Sequence, residues 1–227
     1  MHKLAVYATT PNTRSECLSN IDLRSYVFLD TLQPQHAAFI GTIAQGFMPR
    51  AGQAALYVEI VPAIEINRVT DIALKNTNVQ PGMQIIERVN RLLEVHSDYQ
   101  SEVRRAGEEI LDALGLVEED RIKPRVLTSQ IVRNIDPYHA QLINRTRHGN
   151  MIIPGESLFT LECTPAPYVA LAANEAEKAA NINILEVRAF GSFGRMYLGG
   201  DEANINVAQE AAIAALEGLS GRIKKLK

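Results

Sequence analysis

Residues 33–63, QPQHAAFIGTIAQGFMPRAGQAALYVEIVPA, return as residues 136–166, DPYHAQLINRTRHGNMIIPGESLFTLECTPA. Pro34 and Pro137, His36 and His139, Gly46 and Gly149, Met48 and Met151, Gly52 and Gly155, Glu59 and Glu162, Pro62 and Pro165, and Ala63 and Ala166 all stand at one offset of 103 residues. Working outward, the match extends without a gap over 22–116 and 125–219. It adds Lys75 with Lys178, Asn78 with Asn181, Asp98 with Asp201, Gly115 with Gly218 and Leu116 with Leu219. An ungapped self-match of this length marks a duplicated domain, and each copy is of a size that buries its own core.

The spacing of apolar residues gives each copy the same elements. A β-rich run (Ser25 to Leu32; Gln130 to Ile135) precedes a helix over 34–45 or 137–147, with proline at a first-turn position. Strands follow at Ala54 to Val61 and Ser157 to Cys163; Leu56, Val58 and Ile60 alternate with Tyr57 and Glu59, as in a strand with one buried face. Pro62 and Pro165 are expected to open a second helix that Asn78 or Asn181 ends. A strand pair over 83–95 and 182–199 leads to a last helix, with Asp98 and Asp201 placed as N-caps and Gly115 and Gly218 as stops. The order β-α-β-α-β-β-α predicts one sheet per copy with helices packed against it. The domains are therefore 22–116 and 125–221, joined by the charged linker 117–124, with a loosely ordered extension at 1–21 and a frayed basic tail at 222–227.

Composition excludes more than it selects. Of the 227 residues 46% are hydrophobic and 22% charged, and the net charge of -3 argues against a general nucleic-acid binder. No apolar run reaches the roughly 18 to 20 residues of a membrane span. The first twenty residues lack the form of a secretory signal. Cys17 and Cys163 form neither a metal spacing nor a disulfide framework, which fits a reducing cytoplasm. Metalloprotease, redox CxxC, serine-hydrolase elbow and P-loop motifs are all absent, so no catalytic residue, metal site or cofactor is expected. His36 and His139, beside the helix starts, are read as local hydrogen-bonding groups. Gly191, Ser192, Phe193 and Gly194 suit a tight strand-to-strand turn, or equally a loop whose amides cradle a phosphate.

The second copy carries Lys178-Ala179-Ala180-Asn181 at the end of an Ala-rich helix. A Gly191-Ser192 loop follows, then Gly200-Asp201 before another Ala-rich helix. In these marks it resembles the shell domain of bacterial microcompartments. The fusion of two such domains, with YVFLDTLQPQHAAFIGTIAQGF in the first and QLINR and GSFGR in the second, resembles the tandem-domain shell proteins of β-carboxysomes over nearly all of 22–222. The resemblance implies an α+β fold of two circularly permuted domains, each a ferredoxin-like antiparallel sheet with flanking helices. It further implies homotrimers that mimic a hexagon, stack in pairs and tile with hexameric shell proteins of the compartment.

The resemblance also places an adjacent Glu-Arg pair at the central pore, and the matching residues are Glu87 and Arg88. Offset by 103, they fall on Phe190 and Gly191, which open the loop continuing through Ser192 and Phe193. Neighbours on an extended segment point to opposite sides, so a local backbone flip exchanges which charge faces an opening. Phosphorylated metabolites such as ribulose bisphosphate and 3-phosphoglycerate would be the cargo of such a gate. Lys75 and Lys178 match the lysine that in shell domains lies at the tile edge, its stem against the neighbouring tile. Three rival readings remain: an anion-sensing trimer, a shell trimer of a different compartment, and an enzyme that uses the Gly-rich loop.

Overall fold

A computed structural model describes residues 21–87 and 90–223. The extension at 1–20 with Cys17, the gate residue Arg88 and the tail 224–227 lie outside the described residues. In chain order the first repeat contains β1 (Asp22–Leu29), α1 (Pro34–Ile43), β2 (Ala54–Val61), α2 (Glu65–Asn76), β3 (Gln80–Glu87), β4 (Asn90–Ser97) and α3 (Gln100–Leu114). The second contains β5 (Arg125–Val132), α4 (Pro137–Thr146), β6 (Ser157–Thr164), α5 (Tyr168–Ala179), β7 (Asn183–Arg188), β8 (Gly194–Gly200) and α6 (Glu202–Glu217). Both form four-stranded antiparallel sheets, ordered β1-β2-β4-β3 and β5-β6-β8-β7.

In the first repeat Leu56, Val58 and Ile60 of β2 join Leu93 and Val95 of β4 under Val69 of α2 and Val103, Ala106 and Ile110 of α3. The opposite face of that sheet enters a second cluster, in which Val27, Leu29 and Phe39 of the first repeat share a core with Tyr168, Ala172, Ala173 and Ala176 of α5. The two repeats are thus cemented by apolar burial, the dominant stabilising term in folding. The linker 117–124 runs along this junction, with Val117, Glu118, Glu119 and Lys123 exposed and Arg121 and Ile122 buried. After a 3-10 turn at Glu118–Asp120, the buried Arg121 donates to the Tyr26 carbonyl at 3.0 Å and the Ser220 carbonyl at 2.9 Å, and the Tyr168 hydroxyl donates to the Ile122 carbonyl at 2.6 Å.

Four local expectations need correction. The alternation in β2 predicts one buried face, but Tyr57 and Glu59 are 1% and 2% exposed, because Tyr57 enters the core with Phe39 and Ile40 of α1 and Glu59 pairs with Arg24. Pro62 and Pro165 end β2 and β6 in cis peptide bonds, and the helices begin three residues later; Glu65 N–H donates to the Pro62 carbonyl, so the proline heads a turn outside the helix. Asn78 and Asn181 lie beyond helix ends at Asn76 and Ala179, and their amides reach Glu102 and Asn204 at the start of the last helices. Asp201 caps α6 through the Asn204 amide at 3.0 Å, but Asp98 leaves α3 uncapped because Arg50 and Gln53 claim its carboxylate. Gly115 closes α3 at a left-handed φ of 66°, as its lack of Cβ allows, whereas Gly218 closes α6 in ordinary helical geometry.

Gly46 and Gly149 recur for a packing reason. Their amides donate to the Gly82 and Leu185 carbonyls at 2.9 Å, and a Cβ would stand 2.3 Å from the Pro81 oxygen or 2.2 Å from the Ile184 oxygen. Backbone cannot yield as a side-chain tip can, so Gly149→Ala should cost about 2 kcal/mol. That corresponds to a fall of about 4–8 °C in the unfolding midpoint of a chain this size, readable by circular dichroism; an unchanged midpoint would refute the contact.

Candidate functional site

The seam between the repeats sets β1 and α1 against α5 and β7. The N-terminal amides of α1 are orphans by construction, and the local cap position, Gln33, provides no side-chain acceptor. Domain two supplies the acceptors instead. Asn174 Oδ1 accepts from Gln33 N–H at 3.0 Å, and the two oxygens of Glu177 accept from Gln35 and His36 N–H at 2.8 and 2.9 Å. Partial burial still holds the Glu177 carboxyl above the usual carboxylate range, against the pull of those amides. His36 is buried with Nδ1 3.4 Å from Asn174 Oδ1, and burial pushes it down to about 4, so it is neutral at pH 7. Gln35 completes the seam by donating to the Ile182 carbonyl at 2.6 Å and accepting from Ile184 N–H and the Asn150 amide.

Offset by 103, the same seam surfaces exist a second time, without an occupant in the chain. Helix α4 caps itself, because Asp136 stands where α1 has Gln33 and accepts from Tyr138 N–H at 2.8 Å. The side chains around it are bare. Leu142 is 64% exposed where its counterpart Phe39 is 3% exposed, Val132 is 38% exposed where Leu29 is 1%, and Tyr138, the counterpart of Gln35, is 79% exposed. On the complementary surface of the first repeat, Leu74 occupies the position of Glu177 and Phe47 that of Asn150, and both are exposed. Sequence reasoning did not single out these residues. The signal that finds them is a change of polarity between aligned repeat positions.

The described residues among those expected to form the gate stand at the β3–β4 and β7–β8 connections. Glu87 ends β3 opposite Asn90 at the start of β4, and Arg88 falls outside the described residues. Phe190, Gly191, Ser192 and Phe193 connect β7 to β8, with Ser192 and Phe193 exposed, Gly191 at φ 108° and Phe190 facing the Arg188 guanidinium at 5.2 Å. Lys75 and Lys178 lie in the last turns of the matching helices α2 and α5. Lys75 pairs with Asp71 at 2.7 Å in solvent, while Lys178 crosses the seam to Asp30 at 2.8 Å and also binds Glu175. That Lys178 hydrogen bond holds the Asp30 carboxyl below its ordinary value.

Other reactive groups are sealed in. His96 Nδ1 lies 3.1 Å from Glu94 Oε1 with both side chains fully buried beside Tyr57, and burial raises the Glu94 carboxyl. Burial also lifts the Cys163 thiol to about 12, which leaves it protonated and inert. Among the described residues no group of three His, Cys, Asp or Glu is placed to hold a metal, and no helix is long and apolar enough to cross a membrane.

Comparison with known proteins fits this geometry. The family described as CsoS1D N-terminal domain matches residues 23–120. The chain is 60% identical over 202 residues to carboxysome shell protein CcmP of Synechococcus elongatus, covering 89% of this chain and 95% of the relative. It is 47% identical over 204 residues to carboxysome shell protein CsoS1D of Prochlorococcus marinus, covering 89% and 80%. Two solved structures from the RMM microcompartment share the fold. The fused permuted hexameric shell protein MSM0275 has 44% identity, TM-score 0.85 and coverage of 88% of this chain and 100% of its own. The double ringed trimeric shell protein MSM0271 has 40% identity, TM-score 0.86 and coverage of 90% and 100%.

Proposed function

The chain belongs to the tandem-domain carboxysome shell proteins, structural components of the shell rather than enzymes, and from that premise we propose that three copies close into a six-lobed ring around a charge-gated pore. One observation carries the ring. The chain displays, uncovered, a second β-strand and helix surface (β5 and α4) equivalent to the one that α5 and β7 cover internally, and a second α-helix and strand surface (α2 and β3) equivalent to the one that covers it. A second copy is the occupant that fits both, since the covering surface is a repeat of one already seated in the chain. Interfaces of this head-to-tail kind close into rings when the rotation permits, and two lobes per chain make six from three copies. One similar structure is trimeric and double ringed, which supports three copies and a paired ring.

At the pore, Glu87 with Arg88 and the Phe190–Phe193 loop form the rim, because equivalent hairpin tips converge when equivalent lobes ring an axis. An ion pair at about 4 Å is worth roughly 4 kcal/mol at an effective dielectric of ~20 before desolvation. A bound anion that favours one arrangement by a few kcal/mol therefore resets the population of closed and open pores. Phosphorylated intermediates of carbon fixation, ribulose bisphosphate and 3-phosphoglycerate, are the cargo in this reading, as anions that a rim arginine attracts. Lys75 and Lys178 contribute to edges shared with hexameric tiles.

The reading is tested by electron microscopy of the purified protein and of a Glu87→Ala, Arg88→Ala variant. The native chain should give hexagonal particles with closed and open centres. The variant should give the same particles with open centres only. Particles with an unchanged mixture of centres would remove the gate, and the absence of hexagonal particles would remove the ring.

A further inference from the structure

Arg188 and Arg195 are used by neither seam nor by the Glu87–Arg88 tip. We propose that these two arginines, at the root of the Phe190–Phe193 hairpin, form a binding site for a small oxyanion of the phosphate type, such as the phosphoryl group of a passing metabolite. The site deepens the pore reading, which supplies the cargo, but it is built from one chain.

The register places them together. Arg188 is directly opposite Arg195 in the β7–β8 pair, and Arg195 is opposite Glu162 in the β6–β8 pair, so the three side chains form a row on one face of the sheet. Like charges directly opposed across strands repel. Among the described residues neither guanidinium has a hydrogen-bonded or ion-paired partner, and Arg188 instead rests against the Phe190 ring at 5.2 Å. The fold does not ask for this chemistry. The aligned positions of the first repeat are Ile85 and Leu92, and Leu92 is buried in an apolar core. In a chain of net charge -3, the second repeat thus sets two arginines opposite each other, Arg188 exposed and Arg195 half-buried, at positions that are apolar in the first repeat.

Two guanidiniums present planar forks of N–H donors that match phosphate oxygens, and an oxyanion between them converts their repulsion into attraction. Stacking on Phe190 fixes one of the planes. Glu162 at the end of the row lowers the net positive charge, which keeps the site weak. Weak binding suits a transit point, where an anion must be recruited and then released.

The test is calorimetric titration of the full chain with inorganic phosphate at constant ionic strength, with chloride as the control ion. The native chain should bind phosphate in the millimolar range. Arg188→Gln with Arg195→Gln should weaken binding by about tenfold or more, a loss of about 1.4 kcal/mol, while Arg105→Gln, an exposed arginine of α3 paired only with Glu109 along its own helix, should leave it within about twofold. If the glutamine pair fails to fold, Arg188→Ile with Arg195→Leu, which copies the first repeat, replaces it. No binding by the native chain, unchanged binding by the Arg188–Arg195 variants, or an equal loss in the Arg105→Gln variant would each overturn the site. Because both arginines come from one chain, a protein that fails to form rings still binds phosphate if the site is real, so failure of the ring and failure of the site are told apart.

Discussion

Tyr138→Asp combined with Leu142→Asp should turn the assembled ring into folded single chains. Both residues lie on the solvent-facing side of α4, whose other side packs Ala140 and Ile143 into the domain core, and their exposures of 79% and 64% mean that the isolated subunit loses little by the change. In the ring the repeat offset sets Tyr138 against Phe47 and Leu142 near Leu74 of the next copy. Within the chain the equivalent of the first contact is the hydrogen bond between Asn150 and Gln35. A polar pair inside the chain is thus replaced by an aromatic pair between chains, and such buried aromatic anchors carry about 2 kcal/mol or more each. An aspartate there adds a desolvated charge without a partner, repeated at three seams. Size-exclusion chromatography with light scattering should report monomers whose circular dichroism spectrum and unfolding midpoint match those of the diluted native chain. Rings that persist would place the subunit contact elsewhere.

Glu177→Leu should destabilise each chain by about 3 kcal/mol and loosen the two domains. The carboxylate accepts from two amides at the start of α1, and hydrogen bonds to charged acceptors contribute about 1.5–3 kcal/mol each, while buried donors left without acceptors cost a comparable amount. Leucine is the residue the first repeat itself carries at the aligned position, Leu74, so the substitution is tolerated by a helix of this kind. Adding Gln33→Asp copies Asp136, gives α1 a cap of its own and should restore about 1 kcal/mol. Denaturant midpoints of the single and double variants measure both effects. A loss below about 0.5 kcal/mol, or no recovery with Gln33→Asp, would show that the cross-domain cap does not hold α1.

What the sequence made legible follows from what is local. The apolar run Leu56 to Val61, the first-turn prolines Pro34 and Pro137 and the offset of 103 residues were enough to place the elements in chain order and one sheet per copy, because each signal lies within a few residues of the backbone it governs or repeats at a fixed spacing; the strand order within each sheet and the burial of both faces of β2 depend on distant pairing and were not legible. Asp98 reads as a cap by spacing, yet Arg50, 48 residues away, takes its carboxylate. The capping of α1 by Glu177 spans 141 and 142 residues and has no local pattern at all. Its trace in the sequence is a contrast between repeats: Gln33 against Asp136, Glu177 against Leu74, Gln35 against Tyr138. Where two copies of one fold differ in polarity at aligned positions, the difference separates the seam inside the chain from the surface left for another copy. The arginines of β7 and β8 were legible in the same way, since Ile85 and Leu92 are their counterparts.

Sedimentation equilibrium of the purified full chain near neutral pH tests most directly whether the uncovered repeat surface is filled by another copy. A mass of three chains, or of six if rings pair, is the predicted result. A species of one or two chains at concentrations well above the micromolar range would contradict it.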